Sequence, residues 1–244
     1  MKKLKFFSQN GQDSFLENNL FKKINNGFFV DIGANDGVTF SNTYFFEKKG
    51  WDGLCVEPIP SVFEKLNQNR KCKCICGVIS EKIDEFSKFL HLTGEYEMLS
   101  GVIEKYDDKH LRRIKKDTKN NSEKREILSV KNYNFNDVVT TKNIDYLSID
   151  TEGSEFSILK TINFSNFEIK VISVENNYKN NDIPDFLKKN NFKYLVTIGA
   201  DQIYINRKFK NLIRNKLITN SKILFLKSLE KTKLTIKKVI NKNV

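Results

Sequence analysis

The chain has 244 residues, 39% hydrophobic and 12% aromatic, which is enough apolar material for one α/β-sized core, while its longest apolar runs are far too short to span a bilayer. The formal net charge of +12 is lopsided: residues 207–244 carry twelve Lys or Arg against the single acid Glu230. Residues 1–206 are therefore close to neutral, without the basic field that a nucleic-acid substrate requires.

The opening residues are basic but lack the apolar stretch of a secretory signal, so a cytoplasmic protein is expected. Phe15, Leu16, Leu20 and Ile24 recur at helical spacing and predict a helix over 14–24. The apolar run from Gly27 to Gly33 predicts a buried strand entering a turn. A helix over 42–49 follows, then a second strand over 53–57 stopped by Pro58. Residues 61–69 predict a helix with Ser61 as its cap and Glu64 completing a capping box. A third strand over 72–79 would put Cys72, Cys74 and Cys76 on one face. Their spacing is not that of a tetrahedral zinc site, so buried reduced thiols are expected.

Residues 86–133 break the strand–helix alternation. The segments 86–92 and 127–133 alternate like antiparallel strands, and the charged stretch 103–126 between them predicts a helix with an exposed loop. That loop is either a solvated surface or a cap beside a ligand. Regular order then returns with a strand over 145–150, a helix over 154–161, a strand over 171–175, a helix over 184–190, and a hairpin pairing 194–198 with 202–205. Strands alternating with helices predict an α/β fold of Rossmann-like type with a mostly parallel seven-stranded sheet, a small β-rich insert at 86–133 and a basic helical tail at 207–244. The tail spaces Leu212, Ile213, Leu217, Leu224, Leu234 and Ile240 among lysines. That pattern suits an anionic membrane surface, a packed helix with a wet basic face, or a partly disordered end.

The strongest chemical signal is the turn Asp31-Ile32-Gly33-Ala34-Asn35-Asp36-Gly37. Glycines at 33 and 37 permit close backbone approach, but Ala34 and Asn35 break the dinucleotide pattern, and no Lys-Ser/Thr follows to make a phosphate loop. An acid at such a turn suits a cationic, phosphate-free cofactor. The second strand ends Val56-Glu57-Pro58, and Glu57 lies twenty residues past Gly37, where α/β cofactor sites place the acid that binds ribose hydroxyls.

Together with Ser8-Gln9-Asn10-Gly11-Gln12-Asp13, Asp150-Thr151-Glu152-Gly153-Ser154-Glu155 and Glu97-Met98-Leu99-Ser100-Gly101, these motifs resemble the FkbM family of methyltransferases over residues 8–205. The resemblance implies a class I fold with S-adenosylmethionine over the carboxyl ends of the strands. It places the methionine moiety at the Asp31 and Gly33 turn, the ribose at Glu57, and the adenine by Ile59, Gly77 and Val78, with Asn35, Gly37 and Pro58 also among the cofactor-binding residues. It also suggests that the 8–13 motif closes over the cofactor. The division expected is a methyltransferase domain over 1–206 and the tail over 207–244.

Methyl transfer to a hydroxyl needs alignment and a base or metal to take the proton. Asp150, at the fourth strand tip, is the candidate base. His110, in the charged insert, is a second if that insert caps the pocket. Glu152 and Glu155 also suit a helix N-terminus. The fifth strand ends Glu175-Asn176, so Asp150, Glu175 and Asn176 resemble the magnesium trio of catechol-type methyltransferases. The activity expected is O-methylation of a sugar or glycan hydroxyl, with another small metabolite or an RNA-modifying role for the basic tail as alternatives.

Overall fold

The computed structural model describes residues 5–81, 85–94, 99–106, 111, 112, 114, 116, 125–177 and 181–213. The first helix, α1 (Gln12–Leu16), runs into a π-helical turn over Glu17–Phe21. Strand β1 (Phe28–Ile32), helix α2 (Tyr44–Lys48), strand β2 (Asp52–Glu57) and helix α3 (Pro60–Asn69) follow. The expected capping box is absent. Helix α3 begins one residue early with Pro60 in its first turn, where the missing N–H costs nothing.

The expected third strand is two strands. β3 (Lys73–Cys76) stays in the main sheet, and β4 (Val78–Ile79) leaves it for a second one. Gly77 makes the break, at φ 152°, where a Cβ would collide with the Lys131 carbonyl and lie 2.7 Å from the Tyr133 ring. Then come β5 (Phe86–Leu92), β6 (Gly101–Val102) and β7 (Arg125–Tyr133). Helix α4 (Phe135–Val138), strand β8 (Asn143–Ile149), helix α5 (Glu155–Thr161) and strand β9 (Glu168–Glu175) restore the alternation. Helix α6 (Asp182–Lys189) and the hairpin of β10 (Phe192–Ile198) with β11 (Asp201–Asn206) complete the sheet.

The main sheet has seven strands in the order β10-β11-β9-β8-β1-β2-β3. All its pairs are parallel except those made by β11, which runs antiparallel to both neighbours. One apolar cluster fills one face, with Val30, Ile32, Leu147, Ile149 and Ile172 among its members. The other face is aromatic. Phe46 packs with Phe21, Trp51 and Tyr146 at ring-centroid distances of 5.5, 4.8 and 5.7 Å.

The insert forms the second sheet, β4-β7-β5-β6. Its β5 and β7 pair antiparallel from Phe86↔Lys131 to Leu92↔Arg125, as their alternation predicts. Its inner face packs Phe89, Val102 and Val130 on Ile59 and Val62. The expected 103–126 helix is described only in part, beginning with a 3-10 turn at Ile103–Lys105. Of the tail, a 3-10 stretch at Arg207–Leu212 is described, and the helix expected beyond 213 lies outside the described residues. No helix among the described residues is long and apolar enough to cross a membrane. All four cysteines are free thiols, with Cys55 and Cys72 sulfurs 3.6 Å apart.

Candidate active site

After β1 the chain builds outward through β2 to β3, then returns to the opposite side of β1 as β8. Beyond the carboxyl ends of β1 and β8 their loops therefore diverge and leave a crevice, the usual ligand position in an open α/β sheet. A cavity of about 160 Å³ lies there. Asp31, Gly33, Asn35, Glu57, Pro58, Ile59, Gly77, Val78 and Asp150 all line it, and Phe89, Ser100 and Val102 of the insert supply another wall.

Backbone bonds tie the strand tips together. The N–H groups of Gly33 and Ala34 donate to the Val56 carbonyl at 3.0 and 3.1 Å, and that of Asp150 donates to the Ile32 carbonyl at 3.0 Å. Gly33, at φ 84°, packs so closely on the Asp150 carbonyl that any Cβ would overlap it. Glu57 organises the turn, accepting from the Asn35 N–H through Oε2 and from the Ile59 N–H through Oε1, both at 3.0 Å. Non-glycine residues at positive φ concentrate here too: Asn35, Phe40 and Glu152 all line the cavity. Such conformations cost of order 1 kcal/mol or more each and gather where a site demands them.

Gly37 differs from the expectation of close approach to a ligand. It does not line the cavity. Its φ is 79°, and a Cβ there would lie 2.6 Å from Leu66 and 2.7 Å from Arg70. The glycine makes room for α3 and the side chain at its end.

Asp31 is 4% exposed, and burial raises its carboxyl above the usual range against the opposing pull of Arg70 and hydrogen bonds from Thr43 and Ser148. The Thr43 hydroxyl donates to Asp31 Oδ2 at 2.6 Å. The 8–13 motif lies behind this wall and lines neither cavity of the site. Its Asp13 accepts from the Phe7 and Ser8 N–H groups, and Gln12 Nε2 donates to Asp201 at 3.0 Å. Asn42, which does line the cavity, donates to the same carboxylate at 3.2 Å.

A second cavity of about 280 Å³ adjoins the first, with Glu152 in the wall of both. It is lined by Glu104, Glu155, Phe156, Glu175, Asn176 and Asn177 among others. Where the two meet, carboxylate oxygens of Asp150, Glu152 and Glu175 lie within 4.8 Å of one another. Burial, then the charges of Glu175, Asp201, Glu155 and Asp31, raise Asp150 well above the usual carboxylate range. Burial and the charges of Glu152, Glu155 and Asp201 push Glu175 up to about 9. Mutual repulsion among half-buried acids favours their protonated forms.

Of the expected magnesium trio, Asp150 and Glu175 converge, Glu152 joins them, and Asn176 lines the adjoining cavity beside Glu175. The Asn176 side-chain N–H is turned to Gln202 at 3.2 Å. Glu155 braces the loop that precedes α5: its carboxylate accepts from the N–H groups of Thr151 and Gly153, each at 2.9 Å. His110 lies outside the described residues. Sequence reasoning missed Thr43, Arg70 and Asp201, because only folding brings these separate segments to Asp31 and Asn42.

A family model, the methyltransferase FkbM domain, matches residues 31–194. The chain belongs to the FkbM methyltransferase family. Its seven-stranded, mostly parallel sheet agrees with the Rossmann-like α/β fold expected. Among solved structures it is similar to the FkbM methyltransferase of Methylobacillus flagellatus, with 10% identity and a TM-score of 0.44. That match covers 74% of this chain and 44% of the other, so the chain spans less than half of that protein's length. A TehB-like S-adenosylmethionine-dependent methyltransferase of Corynebacterium glutamicum matches at 8% identity and TM-score 0.42, over 82% and 89% of the two chains. TrmK of M. capricolum, solved with S-adenosylhomocysteine, matches at 12% identity and TM-score 0.40, over 98% and 88%. No curated protein matches the sequence.

Proposed function

We propose that this FkbM chain O-methylates a hydroxyl of a sugar or glycan, with the first cavity holding S-adenosylmethionine and the second admitting the acceptor. The observation that carries the reading is the meeting of three carboxylates where the cavities join. The first cavity fits the cofactor chemically. A buried acid at Asp31 offers a counter-charge, Glu57 stands at the end of β2 where a ribose would lie, and Ile59 and Val78 provide apolar walls for a purine. Gly33, Asn35, Pro58 and Gly77 complete those walls, and Gly37 contributes only by holding the turn. Bound there, the cofactor supplies an electrophilic methyl group on a positively charged sulfur.

The second cavity suits a polyhydroxylated acceptor. Carboxylates and the amides of Asn176 and Asn177 bond hydroxyls from both sides, and Phe156 offers a ring face to sugar C–H groups. Asp150 acts as the base. An acid whose proton affinity burial has raised accepts a hydroxyl proton better than an ordinary carboxylate does, once a nearby positive charge has ionised it. The other carboxylates keep the acceptor oxygen in line, and alignment supplies much of the rate. A magnesium ion is the second reading of the same point. The oxygen-only donors Asp150, Glu152 and Glu175 support it, with Asn176 as an adjacent oxygen donor. His110 remains the alternative base from the insert.

The test is calorimetry with S-adenosylhomocysteine, with and without magnesium, followed by mass spectrometry of a glycoside, amine and RNA panel. Asp31→Asn should weaken cofactor binding by about tenfold or more. Asp150→Asn should keep binding and lose turnover by a factor of about 100 or more. Wild-type cofactor affinity in Asp31→Asn would refute the site, and methyl gain only on amines or RNA would refute the acceptor class. Chelation that abolishes turnover would decide for the metal reading.

A further inference from the structure

The least accessible cation near the site is Arg70, whose guanidinium has no part in the reading above. It caps the end of α3 and turns back beneath the 33–43 loop, 5% exposed. Its Nε donates to Glu47 at 2.8 Å, Nη1 to the Gly37 carbonyl at 3.0 Å and to Ser41 Oγ at 3.4 Å, and Nη2 to Thr43 Oγ1 at 3.0 Å. The guanidinium carbon lies 5.0 Å from the centre of the Phe29 ring and 5.4 Å from that of Tyr44. A planar fork with five donors can span these points at once, and a lysine ammonium cannot.

The geometry dictates the direction of the next bond. Arg70 has no acceptor, so Thr43 Oγ1 accepts from it. The single hydroxyl hydrogen of Thr43 then has Asp31 Oδ2 as its partner, at 2.6 Å. Thr43 is fully buried and absent from the cavity lining. Whatever it does for a ligand, it does through Asp31.

We propose that Arg70 is a positioning residue of the cofactor site, fixing the plane of the Asp31 carboxylate through Thr43 and the wall of the cavity through Gly37 and Ser41. The proposal rests on the assignment of that cavity to the cofactor. It also accounts for Gly37, which leaves room for the Arg70 side chain rather than for a ligand.

The experiment is a double-mutant cycle read by calorimetry with S-adenosylhomocysteine and by thermal melting. Arg70→Gln is combined with Glu47→Gln, so that the Glu47 carboxylate is not left without its ion-pair partner. Thr43→Val deletes the hydroxyl at constant volume. Thr43→Val is expected to weaken binding by about tenfold and the Arg70 change by at least as much, and combining them should weaken it no further than the Arg70 change alone, because the Thr43 relay is common to both. Thr43→Val combined with Asp31→Asn should add nothing. Arg70→Lys should recover melting temperature more than affinity, and the acceptor KM should stay at its wild-type value in Thr43→Val.

Wild-type affinity in Thr43→Val overturns the proposal, as do fully additive effects of the two changes. If the Arg70 variant does not fold, Thr43→Val alone decides. Wild-type affinity in Asp31→Asn would instead remove the cofactor assignment itself, a different failure.

Discussion

At the residue scale, the two glycines of the 31–37 turn stand for two different physical demands. Gly33 touches the Asp150 carbonyl and holds two neighbouring strand tips together, whereas Gly37 gives way to Leu66 and Arg70. Gly33→Ala is expected to cost about 2 kcal/mol or more in urea denaturation, since it adds both overlap and an unfavourable φ. Asp201 is the second informative residue. Burial raises its carboxyl above the ordinary 3.8, although Gln12, Asn42 and Ser173 bond it. Between the unfolded and the folded value, the folded state therefore holds a proton that the unfolded chain has released. The stability this contributes is full below the unfolded value and is lost as pH rises through the folded one. Asp201→Asn should flatten the fall of melting temperature with rising pH. An unchanged slope would show that another group governs it.

At the element scale, what places the chemistry is the pair of strand tips at β1 and β8 and the departure of β4 at Gly77. Because β4 leaves the main sheet, the insert's Phe89 and Val102 reach the end of the cavity beside Ile59. Most of the charged stretch 103–126, expected as a solvated surface or a cap beside the acceptor, lies outside the described residues. Replacing Gly77 with valine should separate the two sheets and weaken cofactor binding while leaving the aromatic face intact, which near-ultraviolet circular dichroism would show. That face is itself a strong contributor: Phe46 touches four other large rings, and Phe46→Ala is expected to cost about 3–5 kcal/mol by urea denaturation.

At the scale of the whole molecule, the carboxylates are unevenly supplied with cations. Arg70 stands by Asp31, while Asp150 and Glu175 face other acids. A positively charged ligand relieves that imbalance, so S-adenosylhomocysteine, which lacks the sulfonium, should bind more weakly relative to the cationic cofactor analogue sinefungin as pH rises. Equal pH dependence of the two affinities, measured by calorimetry, would remove the cluster from the cofactor's surroundings.

Much of this was legible in the residues alone. Short apolar runs stopped by glycine or proline marked β1 and β2, period-two alternation marked β5 and β7, and the acids at 31, 57 and 150 marked the strand tips, because local periodicity and backbone conformation are encoded by near neighbours. The folded chain decided what near neighbours cannot encode. Arg70 reaches back to Thr43, Asp201 receives Gln12 and Asn42, and Glu152 joins Asp150 and Glu175. Such partners are chosen by packing across the sheet, where separation along the chain carries no information about distance in space.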